Sequence, residues 1–228
     1  MRILLVPAAM ALLIPVAATP AQKPGRASAQ RDWSAQVAAT PAGGHLHGNP
    51  AARTKIVEWA SYTCPHCAHF AAESKAPLAP LLRSGSTNIE YRHMIRDPLD
   101  LAAVIVARCG GPGRFARLNA AIYTGQDVWL QRGAEFARTN RETLAKAEPG
   151  AQLRGLAEGS GLLAIGRANG LTDVALQRCF ADRAAIDRLV AQSRAVPPEV
   201  TGTPSFFVNG RYTGVHDWSR LQPLLAAR

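Results

Sequence analysis

Along this chain, apolar positions recur with two different periods, and the change of period divides the sequence. A nearly unbroken apolar run, Ile3 to Ala18, gives way to a polar, small-residue stretch from Gln22 to Arg31. Trp33 to Ala39 alternates loosely and reads as a first strand, closed by the turn formers Pro41, Gly43 and Gly44. Gly48-Asn49-Pro50 marks another turn. Thr54 to Ala60 reads as a buried strand with Ile56, Val57 and Trp59 at its centre. A helix is expected from Cys64, with Pro65 tolerated at its first position and Phe70 and Ala71 inward. Pro77 kinks or restarts it before Leu78, Leu81 and Leu82. Asn88 to Ile95 reads as a second strand.

From Pro98 to Ala195 the pattern turns helical and stays so. Asp97 caps the first of these helices, and Gly110-Gly111 stops it. Phe115, Leu118 and Ile122 repeat at helical spacing. Gln126 to Glu158 is expected to be helical but frayed by Gly133, Pro149 and Gly150. Leu162 to Ala168 ends at Gly170, and two short amphipathic helices follow, Val174 to Phe180 and Ile186 to Val190, the second capped by Asp182. Beyond Pro197-Pro198, Ser205 to Val208 and Arg211 to Thr213 flank Asn209-Gly210, the favoured two-residue hairpin turn. A helix from Trp218 to Ala226 closes the chain. The pattern has no internal repeat. It predicts an α/β fold in which one small sheet domain, residues 31–97 and 196–228, is interrupted by an all-helical insertion, residues 98–195.

Composition narrows the function classes. With 228 residues, 47% of them hydrophobic and 18% charged, the chain can bury a core, which argues against a disordered or coiled-coil protein. The formal charge of +10 invites a nucleic-acid reading, but arginine outnumbers lysine 22 to 4 and is scattered from Arg26 to Arg228. A nucleic-acid footprint should cluster, so no nucleic-acid partner is expected. Met1–Ala21 reads as a secretory signal: Arg2, then the apolar run, then the small residues Thr19-Pro20-Ala21. The run falls short of the ~20 residues that span a bilayer comfortably, although an uncleaved anchor is the alternative. Residues 22–30 are a tether. Export places the four cysteines where disulfides persist, and a bacterial-style signal makes the periplasm the expected location.

Cys64-Pro65-His66-Cys67 falls where a buried strand meets a helix. Cysteines three residues apart on a first helical turn share a face and can close a disulfide without moving the backbone. At the helix tip, Cys64 meets unpaired N–H groups and the positive end of the dipole, and both favour the nucleophilic thiolate. A protonated His66 would add charge against the same sulfur. Cys67, one turn in, suits the resolving thiol of a thiol–disulfide exchange. A zinc site would need further ligands: His45, His47 and His69 are available, but a second C-x-x-C is missing, and neither a metal nor another cofactor is expected. Haem attachment needs histidine directly after the second cysteine, where Ala68 stands. A purely structural disulfide across four residues would be a poor staple.

The segment Val57-Glu58-Trp59-Ala60-Ser61-Tyr62-Thr63-Cys64-Pro65-His66-Cys67-Ala68-His69-Phe70 resembles the active site of the DsbA family of periplasmic thiol:disulfide oxidoreductases. Gly202-Thr203-Pro204-Ser205-Phe206-Phe207-Val208-Asn209-Gly210 is similar to the same family's cis-proline loop and hairpin. The resemblance implies a thioredoxin fold with a helical insertion, a cis Pro204 facing the disulfide, and a Thr203 backbone that pairs with extended substrate peptides. It implies a nucleophilic thiol held near 3.5 rather than about 8.5. Glu58 has two readings, a strand-edge side chain reaching solvent or, as the family implies, a buried acid that moves protons for Cys67. Unfolded secreted proteins are the implied substrates, and a quinone-linked membrane protein of DsbB type is the implied reoxidant.

Thr203 matches isomerase-type relatives, whereas the best-known oxidases carry valine there. No isomerase-type dimerisation domain is visible before the fold, which favours a monomeric oxidase. An isomerase or reductase using the same cysteines is the alternative, followed by a redox-inactive holdase or a metal carrier. Cys109 and Cys179 either pair as a structural disulfide across the insertion or stay as buried thiols; an oxidising compartment favours the pair.

Overall fold

The computed structural model describes residues 31–226; the expected signal and tether lie outside them. Six strands form one sheet in the order β1-β2-β4-β3-β5-β6. They are β1 (Val37–Ala39), β2 (His45–Gly48), β3 (Thr54–Ala60), β4 (Thr87–His93), β5 (Ser205–Val208) and β6 (Arg211–Tyr212). Only β3 and β4 run parallel, as their connection through helix α1 (Pro65–Ser84) requires. All other pairs are antiparallel.

Eight helices stand between β4 and β5: α2 (Pro98–Cys109), α3 (Pro112–Thr124), α4 (Gln126–Thr139), α5 (Arg141–Lys146), α6 (Pro149–Ser160), α7 (Leu162–Ala168), α8 (Asp173–Ala181) and α9 (Arg183–Arg194). Helix α10 (Trp218–Ala226) follows the hairpin. The sheet interrupted by a helical insertion is therefore the architecture that the periodicity predicts. Two apolar clusters hold it. Ile56, Phe70, Leu82, Ile89, Phe206, Trp218 and Leu221 join the sheet to α1 and α10, each large side chain contributing roughly 1.5–3 kcal/mol on burial. The second cluster centres on α2, which is buried almost all round, and reaches Tyr62 and Cys67.

Four local expectations are corrected. The first strand is shorter than Trp33–Ala39, because the Trp33 N–H goes to the Arg83 carbonyl and the Gln36 N–H turns back to Trp33. Between the turns at Gly43 and Gly48 lies an unforeseen strand, β2, which exists because β1 and β4 flank it. Helix α1 does not restart at Pro77; it runs through Pro77 and Pro80, and the carbonyls these deprive of partners belong to the exposed residues Glu73 and Ala76. Gly133 does not fray its helix. It is buried within α4, where an added Cβ would lie 2.6 Å from Leu99 and 3.0 Å from Ser160, so the missing side chain permits a close approach.

Candidate active site

Cys64 is the N-cap of α1, with extended backbone (φ −94°, ψ 116°), and Pro65 follows at the first helical position. The cap makes no side-chain hydrogen bond, and the backbone N–H groups of His66 and Cys67 at the helix tip favour the ionised sulfur. Cys64 and Cys67 are free thiols. The Cys64 Sγ–H donates to the Thr203 carbonyl at 3.2 Å, and the Thr203–Pro204 bond is cis. The Pro204 carbonyl accepts from His216 Nδ1 at 2.7 Å. A hydrogen bond from the Cys67 thiol is the largest influence on Cys64, and with the Thr203 side chain and the two N–H groups it lowers the Cys64 pKa to about 5. Burial of the sulfur opposes this. Cys64 keeps only 3% of its surface, at a rim formed by exposed Pro65 and His66 and half-buried Thr203.

Cys67 is fully buried, and burial first, then its bond to Cys64 and the Glu58 carboxyl, push its thiol far up. The pair therefore combines one readily ionised sulfur with one that resists ionisation. Glu58 sits on β3 opposite Tyr91 and Phe206, 2% exposed, with Oε1 lacking any hydrogen-bond partner. Burial alone raises its pKa to about 8. It does not reach solvent at a strand edge. It lines a cavity of about 630 Å³ between α1 and α3, together with Ala68, Ala71, Ala120 and Tyr123.

The insertion grips the loop before Cys64, and sequence reasoning missed most of this grip. Asp100, fully buried, accepts from Ser61 Oγ (2.6 Å), the Tyr62 N–H (2.8 Å) and the Arg96 N–H (3.0 Å). Burial outweighs those bonds and raises its pKa to about 6. Asp97 caps α2 through the Asp100 N–H and also takes the Thr63 hydroxyl. Tyr62 donates to Asn119 Oδ1 at 2.7 Å, and Gln126 donates to the Tyr62 and Cys64 carbonyls at 2.7 and 3.0 Å. One signal was available: Asp100 is a lone acid inside the apolar run from Leu99 to Val106.

The remaining candidates separate. His66 is exposed, and its backbone N–H rather than its ring addresses the Cys64 sulfur. His45 is buried and stacked on Phe115, His47 contacts the Ser34 carbonyl, and His69 pairs with Glu73. Among the described residues, no group of three or more His, Cys, Asp or Glu is placed to hold a metal. Cys109, the last residue of α2, is bonded to Cys179 in α8.

Residues 40–227 match a family model described as thioredoxin. A Rickettsia conorii protein provisionally named a protein-disulfide oxidoreductase is 30% identical over 175 residues, which are 73% of this chain and 53% of that protein. A Rickettsia bellii protein of the same provisional name is 30% identical over 174 residues. The chain thus spans about half the length of the curated relatives it matches. Among solved structures, a protein-disulfide isomerase from Novosphingobium aromaticivorans superposes with a TM-score of 0.75 at 34% identity, over 82% of this chain and 97% of that one. Wolbachia pipientis alpha-DsbA1 shares the fold, with a TM-score of 0.63 at 21% identity over 82% and 91% of the two chains.

Proposed function

The chain belongs to the thioredoxin family, and from that premise we propose that it is a protein-disulfide oxidoreductase, working as an oxidase of secreted proteins through Cys64 and Cys67. One observation carries the reading: two sulfurs a helical turn apart have opposite acidities, and the acidic one lies beside the carbonyl that precedes a cis proline. A substrate thiolate attacks Cys64 of the oxidised pair. The Cys64–Cys67 bond breaks, its electron pair leaves on Cys67, and Glu58, protonated up to about pH 8, supplies the proton which that buried sulfur needs. A second substrate thiolate then attacks the substrate sulfur of the mixed disulfide, and Cys64 departs as a thiolate. The substrate loses two electrons and gains a disulfide. Because the helix tip stabilises the departing Cys64 anion, transfer runs toward the reduced enzyme.

Thr203 and Pro204 border the sulfur as a place for an extended peptide to pair. Reoxidation falls to a quinone-linked membrane partner of DsbB type, the enzyme acts as a monomer, and the secretory reading of Met1–Ala21 supports a periplasmic location. The test is equilibration with glutathione. A potential more oxidising than about −200 mV supports the oxidase, whereas a thioredoxin-like value of about −270 mV overturns it. Cys64→Ser should abolish oxidation of a reduced secreted protein; a protein that oxidised nothing and whose suppression of aggregation survived this change would be a holdase. A second reading, disulfide isomerase, is favoured by Thr203 and by the name of the Novosphingobium protein. Faster repair of a scrambled disulfide substrate by the reduced protein than oxidation of a reduced one by its disulfide form would select it.

A further inference from the structure

The carbonyl of Cys64 collects three donors. The Cys67 N–H approaches it at 3.1 Å, the Ala68 N–H at 3.3 Å and Gln126 Nε2 at 3.0 Å. In the thiol form the Cys67 N–H is given to this carbonyl, and Cys64 makes no side-chain cap hydrogen bond. The same hydrogen lies at the helix tip beside the sulfur, which is its alternative acceptor on that residue. When the thiol ionises, the sulfur loses its own bond to the Thr203 carbonyl and becomes the stronger claimant on that hydrogen. The carbonyl can release its share only if it keeps partners elsewhere, since a buried unpaired acceptor is costly. Gln126 supplies such a partner from outside the helix. It stands at the start of α4, 2% exposed, and its second N–H is fixed on the Tyr62 carbonyl at 2.7 Å.

We propose that Gln126 is a positioning residue for the nucleophile: by holding the Cys64 and Tyr62 carbonyls it frees the Cys67 N–H for the sulfur, and so lets the helical insertion tune the reacting thiol. The inference rests on Cys64 being the nucleophile. Its first consequence is that the sheet domain and the insertion share one adjustable element, the Ser61–Cys64 loop. Its second is that losses at Gln126 register in the thiol before they register in substrate contacts.

The test is ultraviolet titration of the thiolate in the reduced full chain and in Gln126→Met, which keeps the length of the side chain and removes both donors. Loss of about one hydrogen bond should raise the Cys64 midpoint by roughly 0.5–1 and shift the glutathione equilibrium about three- to tenfold toward the oxidised protein. Leu153→Ala, a core truncation in α6, serves as a control that loosens the insertion without touching the loop. An unchanged midpoint in Gln126→Met overturns the proposal, and so does an equal rise in Leu153→Ala. If Gln126→Met fails to fold, nuclear magnetic resonance of the unaltered protein decides: the Gln126 side-chain amide signals should titrate with the Cys64 midpoint, and immobile signals overturn the proposal. An ordinary midpoint near 8.5 in the unaltered protein would instead refute the reading of Cys64 itself.

Discussion

Glu58→Gln should make this protein more stable at neutral and alkaline pH, by an amount that grows with pH and then levels off. In the folded protein the carboxyl is buried, Oε1 has no partner, and its pKa rises from 4.5 to about 8. In the unfolded chain it titrates normally. The native state therefore binds the proton more tightly, and the stability this provides is complete below pH 4.5 and lost as pH climbs through 8. At 1.36 kcal/mol for each tenfold step, ionisation costs about 3 kcal/mol at pH 7 and about 5 kcal/mol above pH 9. Glutamine mimics the neutral acid, so the variant should match its parent near pH 4 and exceed it by those amounts higher up. The comparison belongs on a Cys64→Ser, Cys67→Ser background, which removes thiol titration from both arms. With a urea slope of about 2 kcal/mol per molar, the two midpoints should separate by about 1.5 M at pH 7. A separation that stays constant from pH 4 to 9 would refute the burial argument. A separation of the opposite sign would mean that the ionised carboxylate has a partner.

Two further outcomes follow from other parts of the molecule. His93 is buried with both ring nitrogens unpartnered, and burial first, then Arg108 and His45, hold it near 3 instead of 6.5. The unfolded chain takes the proton that the native state refuses, so this residue should withdraw about 3 kcal/mol between pH 7 and 4.5. His93→Phe should flatten that acid loss in urea titrations, and an undiminished loss would place its origin elsewhere. Replacing Cys109 and Cys179 together by serine opens a constraint between residues 70 apart and should cost about 4 kcal/mol by the chain-entropy model. The glutathione equilibrium of Cys64 and Cys67 should stay unchanged in that variant, and a shift there would show that the two pairs are coupled.

The order of the elements was legible because each carries its own local signal. β3 reads as a buried strand from Ile56, Val57 and Trp59, and Pro98 after Asp97 opens a helix whose cap needs only the next three residues. Asn209, with φ +51°, and Gly210, with φ +79°, are the residue types that tolerate a left-handed hairpin turn. The placement of Cys64 and Cys67 at a helix start was legible for the same reason, since it depends only on local spacing. What failed was what depends on neighbours. The four residues of β2 have no pattern of their own and become a strand only between β1 and β4. Pro77 carries a strong local signal for a break, yet Phe70, Leu78 and Leu82 bury one continuous face of α1 and override it.

The site divides along the same line. By itself, the amino-acid order determined two cysteines three residues apart at a helix start and an acid within a largely apolar strand, while the proline-bearing loop opposite them was implied by the family resemblance. Only the tertiary structure decided that Asp100, Asn119 and Gln126, 36 to 62 residues further along the chain from Cys64, hold the loop that carries Cys64. It also decided that Glu58 faces a cavity rather than solvent. Hydrogen bonding between distant side chains and burial of a charge are properties of three-dimensional neighbours, and periodicity along one strand or helix contains neither.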